Sequence, residues 1–150
     1  MQDFTALAER IKSHLKNGAT IYICGNGGSA TQADHFAGEL VCSGIRCVSL
    51  NNIAAVTALA NDYGYGEVFS RQLQSMATAG DVLIVLTTSC ESENIKEALE
   101  IAKELNMFTV GFTGDKDLAG CDVQYKIPAN TQAIQELTII WLHSLWRLLE

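Results

Sequence analysis

The chain has 150 residues with a formal net charge of −7, and 48% of its residues are hydrophobic. This length suits one well-buried domain and is too short for two ordinary ones, so we expect a single domain over residues 1–150. The negative charge, without clustered Lys and Arg, excludes a nucleic-acid partner, because phosphate backbones are bound by clustered cations.

The sequence has no secretory signal pattern and no apolar run long enough to cross a bilayer. Its 5 cysteines are odd in number, contain no CxxC pair and lie mostly in apolar surroundings. These features are typical of reduced thiols in a cytosol. We therefore predict a cytoplasmic protein without a membrane partner.

Helical and strand-like patterns alternate along the chain, beginning with an amphipathic helix predicted over Met1–Asn17. Short apolar runs predict strands at Thr20–Cys24, Arg46–Leu50, Val82–Leu86, Phe108–Phe112 and Val123–Ile127. Helical periodicity predicts further helices at about Ser29–Cys42, Asn52–Ala60, Glu67–Ala79, Ser92–Leu105 and Thr131–Glu150. The alternation predicts an α/β fold, a three-layer αβα sandwich around a parallel sheet.

The last predicted helix has apolar residues on nearly all of its faces, including Ile134, Leu137, Ile140 and Leu148. A helix that is apolar all round is usually buried all round. In so small a domain this favours burial between subunits, and therefore a homo-oligomer with a hydrophobic interface. The alternative is a central core helix in a monomer.

The segment Cys24-Gly25-Asn26-Gly27-Gly28-Ser29 follows the first strand and opens a helix. Small residues let the backbone turn sharply, so that its N–H groups and the helix dipole can face an anion, although a plain strand-to-helix turn is an alternative. Gly25, Gly27 and Ala30 also fit the dinucleotide pattern G-x-G-x-x-A. That pattern requires an acidic residue after the second strand, where this chain has Ser49-Leu50-Asn51-Asn52. We therefore expect no nucleotide cofactor.

A hydroxyl-rich cluster, Thr87-Thr88-Ser89-Cys90-Glu91-Ser92, follows the third strand. Ligands of open α/β sheets bind outside the carboxyl ends of the strands. Hydroxyls beside a helix N-terminus, with Ser92 as the predicted N-cap, would hold a phosphate without basic residues, and ordinary capping is the alternative. Glu91 and Glu93 would repel a dianion unless both side chains point to solvent.

Two pairs of polar side chains lie on predicted helices. His35 and Glu39 are four residues apart, so both lie on one helix face just beyond the glycine-rich segment. Gln135 and His143 share a stripe of the otherwise apolar last helix, where polar side chains are costly unless they are used. The alternative for His35 and Glu39 is a surface ion pair. The alternative for His143 is a hydrogen-bonded core histidine.

These segments occur in the same order as in a known protein family. The matching blocks are Gly25-Asn26-Gly27-Gly28-Ser29, His35-Phe36-Ala37-Gly38-Glu39-Leu40, Asn61-Asp62-Tyr63-Gly64, Thr87–Ser92 and Ile134-Gln135-Glu136 through His143. Over nearly its whole length the chain resembles the phosphoheptose isomerases of the sugar isomerase (SIS) family. The resemblance implies a flavodoxin-like SIS fold with a five-stranded parallel sheet, assembled as a homotetramer with sites at subunit interfaces.

The resemblance also implies an enzyme that isomerises D-sedoheptulose 7-phosphate to D-glycero-D-manno-heptose 7-phosphate, for lipopolysaccharide, capsule or another surface glycan. It implies Glu39 and His143 as the catalytic acid/base pair, and a zinc ion bound by His35, Glu39, Gln135 and His143. The implied substrate-binding residues are Asn26, Gly27, Gly28, Ser29, Glu39, Asn61, Asp62, Thr87, Thr88, Ser89, Ser92 and Gln135. Isomerisation through an enediol needs two titratable groups, and we expect His143 to serve the carbon proton and Glu39 the oxygens, with the reverse assignment open.

Two other functions remain open. The same fold serves in non-catalytic phosphosugar-binding and regulatory proteins, and an isomerase could act on another phosphosugar. A binder has no need for Glu39 and His143 together, which favours an enzyme. Cys90-Glu91 stands where the family usually has Gly-Asn, and Gln132 and Thr138 stand where Asp and His are common, so substrate identity rests on resemblance alone.

Overall fold

In the computed structural model, which describes residues 2–150, strands and helices alternate. The strands are β1 (Ile21–Gly25), β2 (Cys47–Ser49), β3 (Val82–Thr87), β4 (Phe108–Thr113) and β5 (Val123–Lys126). The helices are α1 (Thr5–Lys16), α2 (Gly28–Cys42), α3 (Ile53–Tyr63), α4 (Ser70–Met76), α5 (Glu93–Glu104) and α6 (Thr131–Leu149), with a short 3-10 helix at Tyr65–Glu67. The predicted α/β class and five-stranded parallel sheet are confirmed.

The order of the strands places a crevice between β1 and β3. All neighbours are parallel, and the order across the sheet is β2-β1-β3-β4-β5. The chain therefore moves to one side of β1 to form β2 and then to the other side to form β3. At such a reversal the connections leave in opposite directions and open a ligand-binding crevice at the carboxyl ends of the strands. In this chain those ends are Gly25 and Thr87.

The side chains of the strands alternate between two cores, one on each face of the sheet. Ile21 and Ile23 belong to the core that α1, α2 and α6 cover, which includes Phe4, Phe36, Leu40, Leu142 and Leu145. Tyr22 and Cys24 belong to the core under α4 and α5, which includes Leu73, Ile95, Ala98 and Leu99. Burial on both faces explains why β1, β3 and β4 read as largely apolar runs, whereas the edge strand β5 is only half-buried.

Two predicted helices begin or end elsewhere for reasons of burial. The first helix begins at Thr5, because Phe4 turns inward to contact Phe112 and Asp3 Oδ1 accepts the Thr5 backbone N–H; Met1 lies outside the described residues. The helix predicted over Glu67–Ala79 was wrong in extent. The chain turns at Val68-Phe69, which places both side chains in the core and leaves a short 3-10 helix before α4.

Helix α6 packs on one side only. A stripe made up of Ile134, Thr138, Leu142, Leu145 and Leu149 is buried. Leu137, Ile140 and Leu148 form a second stripe that stays exposed in the single chain. The helix is therefore not enclosed in the way that the central-core alternative requires. No helix among residues 2–150 is long and apolar enough to cross a membrane.

Candidate active site

The glycine-rich loop after β1 is shaped by close approaches that only glycine permits. A Cβ atom on Gly25 would lie 2.8 Å from Cβ of Ser29, so the loop folds tightly over the start of α2. Gly27 has φ +56° and ψ −122°, a conformation that L residues rarely adopt. A Cβ on Gly28 would lie 2.7 Å from Nε2 of Gln135. The loop is therefore in direct contact with the first turns of α6.

Asn26 links this loop to two other segments. Its Nδ2 donates to Asn94 Oδ1 at 2.9 Å, and its Oδ1 accepts from Asn94 Nδ2 at 2.8 Å. The same Oδ1 accepts from the Tyr65 hydroxyl at 2.9 Å. Asn94 lies in the first turn of α5 and Tyr65 follows α3. The loop is thereby fixed to both neighbouring segments.

The hydroxyl-rich cluster after β3 is a turn that its own side chains hold. Thr87 Oγ1 accepts the Cys90 N–H at 3.2 Å, and Ser89 Oγ accepts the Glu91 N–H at 3.1 Å. Cys90 has φ +58°, the left-handed conformation that favours glycine. Ser92 is the N-cap of α5 as predicted, but its hydroxyl accepts no N–H of the helix. The Ser92 hydroxyl is therefore available to a ligand at the positive end of α5.

Glu91 does not leave an uncompensated negative charge in this turn. Its carboxylate lies 2.8 Å from Lys116 Nζ and 3.3 Å from Lys96 Nζ. A hydrogen bond from Lys116, and a weaker one from Lys96, lower the pKa of the Glu91 carboxyl. The Glu93 side chain lies beside the backbone of Gly66. The two lysines thus offset much of the repulsion that the sequence led us to expect from Glu91.

Helices α2 and α6 bring His35, Glu39 and His143 together. The Nε2 atoms of the two histidines lie 2.9 Å apart, and His35 Nε2 lies 3.7 Å from Glu39 Oε1. One ligand atom from each of the three residues lies within 4.8 Å of the others. Two imidazole nitrogens and a carboxylate oxygen are donors that Zn²⁺ takes in proteins. The residue types therefore fit a metal ion as well as an acid/base pair.

Gln135 lies at the loop end of α6 rather than beside His143 along the helix. The eight residues between them correspond to about 12 Å of helix. Its side chain lies against Gly28, and its backbone carbonyl accepts from Gln32 Nε2 at 2.5 Å. Gln32 Oε1 is buried without a hydrogen-bond partner. Gln135 therefore approaches the site from the side of the loop.

Comparisons with known proteins identify the family. The SIS domain family model matches residues 1–114. A phosphoheptose isomerase from Helicobacter hepaticus is 42% identical over 154 residues, which cover 95% of this chain and 79% of that protein. The chain belongs to the phosphoheptose isomerases of the SIS domain family. The predicted family and the predicted enzyme class, an isomerase, are confirmed.

Solved structures of phosphoheptose isomerases match the whole fold. The structure from Neisseria gonorrhoeae has a TM-score of 0.91 and 37% identity, and covers 97% of this chain and 84% of that chain. The structure from Francisella tularensis has a TM-score of 0.89 and 32% identity, with 97% and 83% covered. The similarity therefore includes both helical layers and the sheet between them.

Other site residues expected of a phosphoheptose isomerase are placed as follows. Ser29 is buried at the start of α2, and Thr88 is half-buried after β3. Asn61 and Asp62 are exposed at the end of α3, where Asn61 Nδ2 donates to Asp62 Oδ1 at 3.0 Å. Within residues 2–150 neither side chain forms a hydrogen bond to the loop. Their segment is hydrogen-bonded to the loop through the Tyr65 hydroxyl.

Sequence reasoning missed Asn94, Tyr65 and Gln32. A signal existed for Asn94, because it falls on the stripe of α5 that also carries Ile95 and Ala98 and is otherwise apolar. A polar residue on a buried stripe needs a partner. No comparable signal marks Tyr65, since its contact depends on how two loops meet.

Proposed function

We propose that this phosphoheptose isomerase converts D-sedoheptulose 7-phosphate into D-glycero-D-manno-heptose 7-phosphate for a surface glycan such as lipopolysaccharide or capsule. The observation that carries the proposal is the meeting of Glu39 from α2 and His143 from α6 in one cluster. The names of the relatives support the substrate.

The reaction moves one proton between neighbouring carbons. In our proposal His143 takes a proton from C1 of the ketose, and the electron pair forms the enediol as the C2 carbonyl oxygen gains a proton. Glu39 moves the proton from the C1 hydroxyl while His143 returns a proton to C2, which leaves a carbonyl at C1. General acid–base catalysis of this kind contributes typically about 10² to 10⁴-fold.

The phosphate would bind at the turn after β3 and the N-terminus of α5. Its neutral donors there are Thr88, Ser89 and Ser92, together with backbone N–H groups at the positive end of the helix dipole. An acidic protein can hold a dianion in this way without a dedicated lysine. The sugar end would then extend toward Asn26, Gly27 and Gly28 in the loop.

Zinc is a further part of the proposal. His35, Glu39 and His143 supply suitable donor atoms, and Gln135 would add an amide oxygen from the side of the loop. A bound zinc ion would act as a Lewis acid toward the carbonyl of the substrate. The protein's own side chains would still have to orient the sugar and move its protons.

A homo-oligomer, in our proposal a tetramer, would cover the apolar surface that the single chain leaves exposed. No residue of α3 is buried, and Ile53 at its start is 75% exposed. The exposed stripe of α6 adds Ile140, which is 53% exposed. Exposed apolar residues of this kind suit burial in a subunit interface. We propose that second copies of the chain cover both helices.

The cytoplasm is the compartment that we propose. The five cysteines are free thiols in the structure, and Cys42 is exposed among them. Such thiols suit a reducing compartment. Fractionation of the host cell would test the assignment, and recovery of the protein from the cell envelope would contradict it.

The decisive experiment incubates the purified protein with sedoheptulose 7-phosphate and follows the aldose signals by NMR. We expect the C1 proton of the heptose 7-phosphate to appear with time, and arabinose 5-phosphate and fructose 6-phosphate to serve as specificity controls. Tight binding of the sugar phosphate without turnover would reject the enzyme and favour the phosphosugar-binding alternative. Faster turnover of either control would assign a different substrate.

A further inference from the structure

Three segments of the site meet at one amide. The Asn26 side chain contacts Asn94 in the first turn of α5 and Tyr65 in the short 3-10 helix. Each of these segments carries residues expected to bind the substrate. Gly27 and Gly28 adjoin Asn26, Ser92 is two residues before Asn94, and Asp62 is three residues before Tyr65. We call Asn26, Tyr65 and Asn94 the amide hub.

The hub uses most of the hydrogen-bonding capacity of Asn26. A side-chain amide has two acceptor lone pairs and two donor hydrogens. Asn26 Oδ1 accepts from both Asn94 Nδ2 and the Tyr65 hydroxyl, and Asn26 Nδ2 donates to Asn94 Oδ1. One N–H remains for a ligand. The main role of this side chain is therefore to hold the loop in place.

The hub is buried at its Asn94 end. Asn94 is 2% exposed, so a broken hydrogen bond there would leave polar groups with little access to water. An unsatisfied buried polar group is costly in free energy. The paired amides of Asn26 and Asn94 therefore favour one separation between the loop and α5.

We propose that Asn94 is a positioning residue for the isomerisation, and this inference rests on the proposed function. The phosphate and the reacting carbons belong to one substrate molecule of limited length. If the phosphate is held at the N-terminus of α5, the separation of α5 from the loop, where α2 begins, sets the distance from the phosphate to Glu39 on α2. Asn94 acts through Asn26 and needs no contact with the substrate.

The test combines Asn94→Ala, Asn26→Ala and the double variant in a mutant cycle. Misplacement by about 1 Å can cost roughly 10²-fold in rate, so we expect kcat to fall by roughly that factor in each single variant. The double variant should be little worse than either single variant, because both remove the same link. Inorganic phosphate should inhibit wild type and Asn94→Ala at similar concentrations, since the backbone N–H groups of α5 remain.

A matched control separates positioning from stability. Gln72 is also a buried amide, whose Nε2 donates to the carbonyls of Leu50 and Val68. Gln72→Ala should lower the melting temperature and leave kcat unchanged. If Gln72→Ala lowers kcat as much as Asn94→Ala does, the positioning role is rejected. Tyr65→Phe removes one hydroxyl at an exposed residue and should lower kcat about 3 to 10-fold, which keeps the test valid if Asn94→Ala fails to fold.

Hydrogen exchange tests the hub independently of the substrate. In Asn94→Ala the backbone amides of residues 25–29 should exchange faster than in wild type, while those of β4 should not change. Unchanged exchange in the loop, or wild-type kcat in Asn94→Ala, would overturn the proposal. An inactive wild type would reject the proposed function instead, and the exchange result would still decide whether the hub holds the loop.

Discussion

The Nε2 atoms of His35 and His143 lie 2.9 Å apart, although the two residues are separated by 108 positions in the chain. A hydrogen bond between two such nitrogens requires one ring to carry a proton there and the other to lack it. The acceptor's lone pair is engaged by that proton, so Zn²⁺ could bind both Nε2 atoms only with the donor ring's proton on Nδ1 instead. Glu39, with Oε1 3.7 Å from His35 Nε2, supplies negative charge to the same point.

Zinc added to chelator-treated protein should raise the melting temperature. At a free concentration of about 100 times Kd the gain is about 2.7 kcal/mol, which corresponds to several degrees in a chain of this size. His35→Ala and His143→Ala should abolish the shift, as measured by differential scanning fluorimetry. His14, whose ring contacts the Gly80 carbonyl, provides the control, since His14→Asn should keep the response to zinc. An equal shift in all three variants would place the metal elsewhere.

Glu39→Gln and His143→Asn should each lower kcat by about 10² to 10⁴-fold while the substrate still binds. The two variants should differ in D₂O. If His143 serves the carbon proton, Glu39→Gln should still exchange the C1 proton for deuterium, whereas His143→Asn should not. NMR measures both the exchange and the product. Loss of exchange in Glu39→Gln alone would reverse the assignment of the two residues.

Cys90→Gly should be more stable than Cys90→Ala by about 1 kcal/mol, because φ +58° is unfavourable for every residue with a Cβ. Both variants lack the thiol, so the comparison isolates the backbone. Urea unfolding measures the difference. At Glu100, an exposed position within α5, alanine should be more stable than glycine by about 1 kcal/mol. If the glycine and alanine variants ranked in the same order of stability at both positions, the left-handed conformation of Cys90 would be contradicted.

Gly28→Ala should lower kcat/KM with little loss of stability. The new Cβ would lie 2.7 Å from Gln135 Nε2, and the flexible amide would have to move away from the loop. A Cβ on Gly38, within α2, would meet no neighbouring side chain or loop within 4 Å. Gly38→Ala should therefore raise stability by up to about 1 kcal/mol and leave activity unchanged. Wild-type kinetics in Gly28→Ala would show that the position of Gln135 does not matter for turnover.

Ile140→Glu should shift the protein toward smaller assemblies. Ile140 is 53% exposed in the single chain, so the charge is tolerated there, but it would be buried in an interface formed by α6. Light scattering coupled to size-exclusion chromatography measures the mass. Lys103→Glu, at an exposed position of α5, introduces the same residue and should keep the wild-type mass. An unchanged mass in Ile140→Glu would mean that this stripe is not an interface.

Local patterns predicted the central strands well because β1, β3 and β4 are buried on both faces. The first strand was predicted at Thr20–Cys24 and is observed at Ile21–Gly25. Patterns were less informative where burial depends on turns. The short 3-10 helix ends at Glu67 and α4 begins at Ser70, although the buried Val68 and Phe69 keep helical dihedral angles, and a helical period does not reveal such a break.

The candidate site also has parts that the sequence predicts and parts that depend on tertiary packing. The four-residue spacing of His35 and Glu39 determined their proximity, because residues one turn apart share a helix face. Sequence also determined the family, the sheet and the glycine and hydroxyl segments at its edge. The family resemblance, but no spacing, led us to expect His143 near His35, and only the tertiary structure decided that Asn94 meets Asn26 across 68 positions. Such contacts depend on how helices pack across the sheet, and neither spacing nor residue type specifies that packing.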